Sequence, residues 1–232
     1  MSSDSSHRHL MDLRADALFT HDNHGRMVSI NEPNGGPAPQ FYLGRSADGI
    51  VCRFGRGLSD DLVHQLESIT QGESKGDLRP LPEQHERYLD ALQGADLQVW
   101  SGPAYAFPDE AIAVDAAINI NTSNAGLLHG GLDDWRDVVD SQCPLVAVIE
   151  EGRAVAICAS VRITNHIHEA GLETLPDYRR KGLASRAVAG WANLVRESEA
   201  TPVYSTSWDN DAAQNMAASL GLKMIGVDYH LT

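Results

Sequence analysis

The feature that most constrains the fold is a strand-to-helix junction over residues 173–185, which reads Glu-Thr-Leu-Pro-Asp-Tyr-Arg-Arg-Lys-Gly-Leu-Ala-Ser. We predict a strand that runs to Leu175, because the proline after it has no N–H group with which to extend a β-ladder. A helix is predicted to begin near Arg180. The first N–H groups of a helix lack partners within it and lie at the positive end of its dipole. The junction therefore predicts an anion site, with room beside Gly182 and Ala184 for a diphosphate to approach the backbone.

Two common phosphate-binding motifs are missing from the sequence. It contains no G-x-x-x-x-G-K-[ST] motif, which excludes the P-loop of a nucleoside triphosphatase. It also contains no G-x-G-x-x-G motif, which argues against a dinucleotide site of the Rossmann type. The predicted anion site therefore belongs to another class of protein.

The hydrophobic pattern around the junction predicts a mixed α/β layer. An apolar run at 145–149 and a second strand at 154–163 flank a glycine-containing turn, which is typical of a β-hairpin. Apolar residues at helical spacing predict an amphipathic helix over 180–196. The other predicted elements are a helix at 127–139, strands at 168–175, 203–207 and 225–231, and a helix at 211–220 with Asn210 as its N-cap.

The junction resembles the cofactor motif of the GNAT superfamily of N-acetyltransferases. In that motif a strand ends in V-x-P, and R-x-x-G-x-G/A follows at the start of a helix. Thr174 and Pro176 stand at the V and P positions, and Arg179, Gly182 and Ala184 stand at the R, G and G/A positions.

A second motif extends this resemblance downstream. Asn210, Gly221 and Leu222 stand where the family carries its later N…G-[FL] pattern. The resemblance covers roughly residues 120–232. It implies an α/β (α+β) fold with a mixed central sheet flanked by helices, and acetyl-CoA as co-substrate. No metal is expected, because no third ligand is obvious beside His166 and His168.

The resemblance also implies how acetyl-CoA is held. Backbone groups of Glu173, Thr174 and Leu175 would pair with the pantetheine arm as an added strand. Asn210 would help to place the thiol arm, and a primary amine would attack the thioester directly in a ternary complex. The N–H groups that would hold the pyrophosphate belong to Arg179, Arg180, Lys181, Gly182, Leu183, Ala184 and Ser185.

The reaction requires a base, because an amine arrives mostly protonated. Glu173 is the first candidate, since it lies on the strand beside the acetyl group. Glu169 is the second, because residues separated by an even number share one face of a strand. Each could equally be an exposed strand carboxylate without a role. The tyrosine that usually protonates the leaving thiolate in this family is Ala217 here, so Tyr204, Ser207 or solvent would replace it.

The first half of the chain carries no second cofactor motif. We predict a disordered tail at 1–10, a strand-rich subdomain on the substrate side at 11–108, and the acetyltransferase core at 109–232. Strands are predicted at 17–20, 27–30, 41–44 and 50–54, and helices at 59–69 and 81–92. Two rigid loops at 31–39 and 100–108 would present Glu32, Trp100 and Tyr105 to the acceptor, and Trp208 would line its pocket. The alternative is that these loops are simple turns.

Charge indicates the kind of partner. With 18 Lys and Arg against 32 Asp and Glu, the net charge is −14, which argues against nucleic-acid binding. An acidic surface would instead attract a cationic small-molecule amine. The whole chain also resembles bacterial aminoglycoside-resistance members of the family that carry an Asn-Glu-Pro loop before the core. An aminoglycoside is therefore the expected acceptor.

Other properties concern location and assembly. No apolar run approaches the roughly 18 residues of a membrane span, so no membrane partner is expected. Three widely spaced cysteines without a C-x-x-C pair favour a reducing cytoplasm. The sequence leaves a homodimer open.

Three alternatives stay open at this stage. The enzyme could act on another small amine, an amino acid or a protein N-terminus. The chain could be a non-catalytic regulator that binds acyl-CoA, a reading that the alanine at 217 allows. It could also be an unrelated α/β binding module.

Overall fold

The computed structural model describes residues 6–32, 35–93, 97–139 and 143–232. They form two compact units, one of Met1–Tyr105, Ser205–Gln214 and Met224–Thr232, the other of Ala106–Tyr204 and Asn215–Lys223. No helix in the described part of the chain is both long and apolar enough to cross a membrane.

The first unit combines a β-hairpin with a larger mostly antiparallel layer. β1 pairs with β2, and in the larger layer the strand order is β4-β3-β11-β5. β3 is antiparallel to both β4 and β11. The elements are α1 (His7–Leu18), β1 (Phe19–His21), β2 (Met27–Ile30), β3 (Phe41–Arg45), β4 (Ile50–Phe54), α2 (Asp60–Thr70), α3 (His85–Ala91), β5 (Val99–Ala106) and β11 (Lys223–Leu231).

The core of the first unit lies between its sheet and the helices α2 and α3. These helices bury residues such as Leu66 and Tyr88 against β3 and β11, and the apolar positions of α2 recur at helical spacing. The Ser59 side chain accepts a hydrogen bond from the Leu62 N–H group and caps α2, as predicted.

A buried ionic cluster crosses this unit. The Arg14 guanidinium pairs with the Asp228 carboxylate, and the two side chains are 1% and 0% exposed. Asp228 also accepts a hydrogen bond of 2.9 Å from the Tyr42 hydroxyl. Burial raises the pKa of Tyr42 well above its ordinary value, so the tyrosine acts as a donor. We call Arg14, Tyr42 and Asp228 the buried ionic cluster.

The second unit is built on a five-stranded layer of order β10-β9-β8-β7-β6. β10 is parallel to β9, and the other neighbours are antiparallel. Its elements are β6 (Ala117–Asn119), α4 (Arg136–Val139), β7 (Leu145–Glu150), β8 (Arg153–Ile163), β9 (Ile167–Thr174), α5 (Leu183–Glu197) and β10 (Thr201–Ser205), with 3-10 turns at Ala125–Leu127, Asp133–Trp135 and Pro176–Tyr178. The helix α6 (Asp211–Ser219) contributes residues to both units.

Helix α5 covers one face of this layer. Its buried side includes Val188, Trp191 and Val195, and it packs on β7, β8 and β9. The Trp191 indole donates a hydrogen bond of 3.0 Å to Ser160 Oγ, which lies 2.9 Å from His168 Nδ1. Burial lowers the pKa of His168, so the neutral imidazole is the form that this interior favours.

The predicted mixed α/β layer is confirmed, and five local predictions need correction. Of the tail expected at 1–10, residues 1–5 lie outside the described residues, and α1 already begins at His7, where the Ser6 side chain accepts from the His9 N–H group. That helix runs to Leu18, so only part of the strand predicted at 17–20 forms.

The rigid loop predicted at 100–108 is instead the strand β5. Gly102 and Pro103 suggest a loop, but Gly102 leaves room for a close approach of the Thr206 carbonyl group. Of the other predicted loop, at 31–39, residues 33 and 34 lie outside the described residues.

The helix predicted at 127–139 forms only as a 3-10 turn and the short α4. Gly130 and Gly131 interrupt it, because both adopt a positive φ, of 76° and 121°. The helix predicted from Arg180 begins at Leu183, because Arg180 and Gly182 are left-handed, with φ of 62° and 75°.

Candidate active site

The candidate site lies in the second unit, where β9 extends beyond its parallel partner. β10 pairs with β9 over three residue pairs, from Thr201 opposite Ile167 to Val203 opposite Glu169. In the described part of the chain, the parallel register does not continue along the last five residues of β9. The other edge of those residues is occupied by β8, with Thr174 opposite Ala156. One edge of the end of β9 is therefore the place where an extended ligand could pair with the backbone.

The chain turns sharply after β9. Leu175 donates its N–H group to Val155 O at 3.0 Å, and the 3-10 turn Pro176–Tyr178 follows. The Arg179 side chain then bends back, and its Nε donates to Thr174 O at 3.1 Å. This bond fixes the turn against the end of the strand.

Helix α5 begins shortly after this turn. Gly182 is its N-cap, no side chain caps this end, and the first helical bond runs from Arg186 N to Gly182 O. The N–H groups of the first turn, including those of Leu183, Ala184 and Ser185, have no carbonyl partner within the helix. A β-carbon built on Gly182 would have no atom within 4 Å, so the backbone here is open to a ligand.

Positive charge surrounds this helix start. Arg179, Arg180 and Lys181 are exposed. Lys181 Nζ lies 4.8 Å from the centre of the Tyr178 ring, and the Arg153 guanidinium lies 5.8 Å from it. We call residues 178–185 the basic turn.

The basic turn is suited to an anion. The dipole of the 15-residue helix α5 adds positive potential at the basic turn, whose backbone is left-handed at Arg180 and Gly182. The pyrophosphate of acetyl-CoA fits such a set of donors, because it is a double anion that accepts many hydrogen bonds.

The predicted bases occupy different environments. Glu169 and Glu173 share one face of β9, as their spacing predicts. Glu169 is only 2% exposed, whereas Glu173 is exposed. Glu173 Oε2 accepts a hydrogen bond of 2.5 Å from Trp135 Nε1. Of the two carboxylates, Glu173 is therefore the one that a substrate can reach from solvent.

The residues considered for the general acid are mostly buried. Ala217, at the position of the usual tyrosine, is fully buried and has no group that could donate a proton. Tyr204 lies in β10 and is 6% exposed, and Ser207 follows that strand.

The other predicted contacts lie in the first unit. Asn210 Oδ1 accepts from Ala213 N at 3.1 Å, which confirms it as the cap of α6. Glu32 is exposed, Tyr105 is half-buried near the end of β5, and Trp100 lies against His230 with 4.9 Å between ring centres. Trp208 Nε1 is buried and has no hydrogen-bond partner among the described residues.

Three residues at or near the candidate site were not predicted from the sequence. Trp135 falls in the stretch predicted as a continuous helix, where it would pack as an ordinary apolar residue. Tyr178 and Arg153 are 25 residues apart in the sequence, and only the fold brings them together. A tyrosine between a proline turn and three basic residues is the one local signal that could have indicated Tyr178.

Comparisons with known proteins bear on residues 145–229, which match the family model for GNAT acetyltransferases. A search of curated proteins found no match. A GNAT-family acetyltransferase from Colwellia psychrerythraea has a similar structure, with a TM-score of 0.50, 13% identity, and coverage of 78% of this chain and 76% of that one.

Two further solved structures are similar at lower TM-scores. A GNAT-family protein from Novosphingobium aromaticivorans DSM 12444 has a TM-score of 0.46 and 17% identity, and the alignment covers 58% of this chain and 64% of that one. A GCN5-related N-acetyltransferase-like protein from Streptococcus suis 89/1591 has a TM-score of 0.48 and 14% identity, over 84% and 85% of the two chains. This chain thus covers less than two thirds of the Novosphingobium protein.

The family match agrees with the superfamily and the acetyltransferase class that the sequence predicts, and the Colwellia protein agrees with the predicted fold. The matched segment contains β7, β8, β9, the basic turn, α5 and β10, and so includes the candidate site. Residues 145–229 are therefore similar to the GNAT acetyltransferases.

Proposed function

We propose that the chain is an N-acetyltransferase that transfers the acetyl group of acetyl-CoA to a primary amine of a cationic small molecule. The observation that carries this proposal is the continuity of β9 with the basic turn. A strand end beyond its parallel partner is followed directly by an uncapped helix start with exposed positive charge. An extended thiol arm and a diphosphate are the two parts of one ligand that match these two features.

Each part of the site has a defined task in this proposal. Backbone groups of Glu173, Thr174 and Leu175 would pair with the pantetheine arm, and the basic turn would bind the pyrophosphate. Asn210 would help to place the thiol arm. Acetyl-CoA supplies the activated acetyl thioester. The proposal includes no metal.

Glu173 is proposed as the general base. Its exposed carboxylate would accept the proton that the substrate ammonium must lose before the amine can attack. Glu169 ranks second, because its burial hinders direct access by a substrate. Tyr204, Ser207 or solvent would supply the proton to the leaving thiolate.

The proposed acceptor is an aminoglycoside of the kasugamycin type, acetylated at its 2′-amine. The net charge of −14 supports a cationic acceptor. So does the segment that contacts Glu173, because Asp133, Asp134 and Asp137 flank Trp135 and are exposed. Glu32, Trp100, Tyr105 and Trp208 are proposed acceptor contacts. The unsatisfied N–H group of Trp208 favours this role, since buried donors are rarely left without partners.

One observation favours a second candidate. The alanine at position 217 lacks the usual proton donor, which fits a non-catalytic regulator that binds acyl-CoA. Other small amines, amino acids and protein N-termini are the alternative acceptors. A cytoplasmic location and a homodimer stay predictions.

The test is to incubate the purified protein with acetyl-CoA and a panel of amines, and to follow the release of free thiol. The panel contains kasugamycin, other aminoglycosides, polyamines, amino acids and a peptide with a free N-terminus. We expect thiol release with an aminoglycoside, and mass spectrometry of the product gives the acetylated position. Thiol release with another amine only would identify that amine as the acceptor in place of an aminoglycoside. If acetyl-CoA raises the melting temperature but no amine releases thiol, the non-catalytic regulator is favoured.

Variants test the assignment of the base. Glu173→Gln should lower kcat by about 100-fold, within the range expected for loss of a general base. Glu197→Gln, an exposed glutamate at the opposite end of α5, is the matched control and should retain activity. A larger loss of kcat in Glu169→Gln than in Glu173→Gln would show that Glu169, and not Glu173, is the general base.

A further inference from the structure

Trp135 is held in place by a segment with several anchors. Leu132 is buried, and the Asp133 carboxylate accepts from Gly131 N at 3.2 Å. Arg153 donates from Nη1 to Gly130 O at 3.0 Å, which attaches the same segment to β8. The position of the indole is therefore fixed by its neighbours, and Trp135 itself is only partly exposed.

Among the residues that the structure describes, the polar contact of the indole N–H group is Glu173. Trp135 Nε1 donates to Glu173 Oε2 at 2.5 Å, across 38 residues of sequence. An indole is a donor only, so the carboxylate must accept this bond. Hydrogen bonds to an ionised acceptor are stronger than neutral ones, and the contact therefore limits the conformations of the glutamate side chain.

A flexible carboxylate is a poor base for a defined proton transfer. The side chain of an exposed glutamate samples several rotamers, and ordering it has an entropic cost. A base that is already oriented avoids that cost when the substrate is bound. The Trp135 contact occupies one oxygen of Glu173 and leaves Oε1 to accept a proton.

We propose that Trp135 is a positioning residue for acetyl transfer, because its indole N–H group orients the Glu173 carboxylate towards the proton of the substrate ammonium. This inference rests on the proposed function, in which Glu173 is the base. Trp135 itself does not touch the reacting atoms in this scheme. Its effect on the reaction is exerted through Glu173 alone.

The first test combines two substitutions. Trp135→Phe keeps an aromatic ring and removes the N–H group, and we expect kcat to fall about tenfold with an unchanged KM for acetyl-CoA. In a Glu173→Gln background the same substitution should change kcat by no more than about twofold, because residues that act as a unit are not additive. An equal loss in both backgrounds would overturn the proposal.

An isosteric replacement separates the N–H group from the shape of the ring. β-(3-Benzothienyl)alanine at position 135 has a sulfur atom in place of the indole N–H and otherwise matches tryptophan. We expect it to lose as much activity as Trp135→Phe while it keeps the melting temperature of the unmodified protein. Full activity with this residue would show that packing of the ring is its role, which would overturn the proposal.

A spectroscopic measurement reads the contact without any substrate. The indole ¹H–¹⁵N signal of Trp135 is identified by its absence from the Trp135→Phe protein. We expect this signal to move in Glu173→Gln and to stay in place in Glu197→Gln. A signal unmoved in Glu173→Gln would refute the contact itself. A shifted signal in a protein that acetylates no amine would instead refute the proposed function, and with it the positioning role.

Discussion

The buried ionic cluster of the first unit and the basic turn of the second both contain arginine, in opposite surroundings. Arg14 is 1% exposed and pairs with a carboxylate that is itself fully buried. Arg180 and Lys181 are exposed, and among the described residues no salt bridge involves either of them. A buried charge must be matched within the protein, because removing it from water is costly. A charge that serves a ligand must stay solvated and available until the ligand arrives.

The two regions also differ in how far apart their residues lie in the sequence. The cluster joins residues 214 positions apart, Arg14 and Asp228, so it forms only when the first unit is complete. The basic turn is continuous in sequence, and its backbone supplies most of the donors. Substitutions in the cluster should therefore act on folding, whereas substitutions in the turn should act on binding.

The largest effect is expected at Asp228. Asp228→Ala leaves Arg14 buried without its counter-charge, and we expect the free energy of unfolding to fall by about 3–5 kcal/mol. Urea denaturation monitored by circular dichroism measures it. The double variant Arg14→Met/Asp228→Leu removes both charges and should recover a large part of the loss. A loss below about 1 kcal/mol in Asp228→Ala would show that the cluster is not desolvated as described.

The next prediction compares two glycine positions, to distinguish a loss of stability through backbone strain from a loss of acetyl-CoA binding. Gly182 and Gly25 both have φ of 75°, and a β-carbon on either would have no atom within 4 Å. Alanine at each should cost about 1–2 kcal/mol of stability, because both positions are left-handed. Only Gly182→Ala should also weaken acetyl-CoA binding, by about tenfold in Kd by calorimetry. If the two variants bind acetyl-CoA with equal affinity, the backbone of Gly182 is not part of the binding site.

A smaller effect is expected from the charge of Lys181. Lys181→Ala should raise the Kd for acetyl-CoA about threefold at low salt, and the difference should shrink near 1 M salt, where the Debye length is about 3 Å. Lys75→Ala removes an equally exposed lysine from the first unit and is the matched control. A salt-independent difference would mean that Lys181 acts through packing on Tyr178.

The smallest effect concerns the pH dependence of stability. Burial lowers the pKa of His168 below its ordinary value of 6.5, so below about pH 6.5 the unfolded chain takes up a proton that the folded chain does not. Stability should therefore fall as the pH falls from 6.5 towards the folded pKa. His168→Gln should flatten this slope between pH 7 and 5.5 in urea titrations, whereas exposed His166→Gln should leave it as in the unmodified protein. Identical slopes in all three proteins would exclude His168 as the cause.

Much of the second unit was predictable because its signals are local. A glycine turn between two apolar runs predicts the hairpin of β7 and β8, and an asparagine before a helix predicts the cap of α6. The motif from Thr174 to Ala184 predicts the order strand, turn and helix. These signals depend on the conformations of adjacent residues, which the sequence alone largely determines.

What the sequence could not predict depends on distant partners or on backbone conformation. The motif indicates a helix near Arg180, but the left-handed residues before Leu183, at the proposed anion site, are a property of the folded turn. The glycine and proline of β5 suggest a loop, and the sheet order that places this strand beside β11 is a tertiary result.

The sequence by itself predicted the cofactor motif and the element order around the junction, and it determined the acidic charge, since each can be read from neighbouring residues or from counts. Only the tertiary structure decided that Glu169 is buried and Glu173 is exposed, and that Trp135 donates to Glu173. The physical reason is that burial and hydrogen bonding depend on which distant segments pack together. Two glutamates on one face of a strand look alike until those segments are in place.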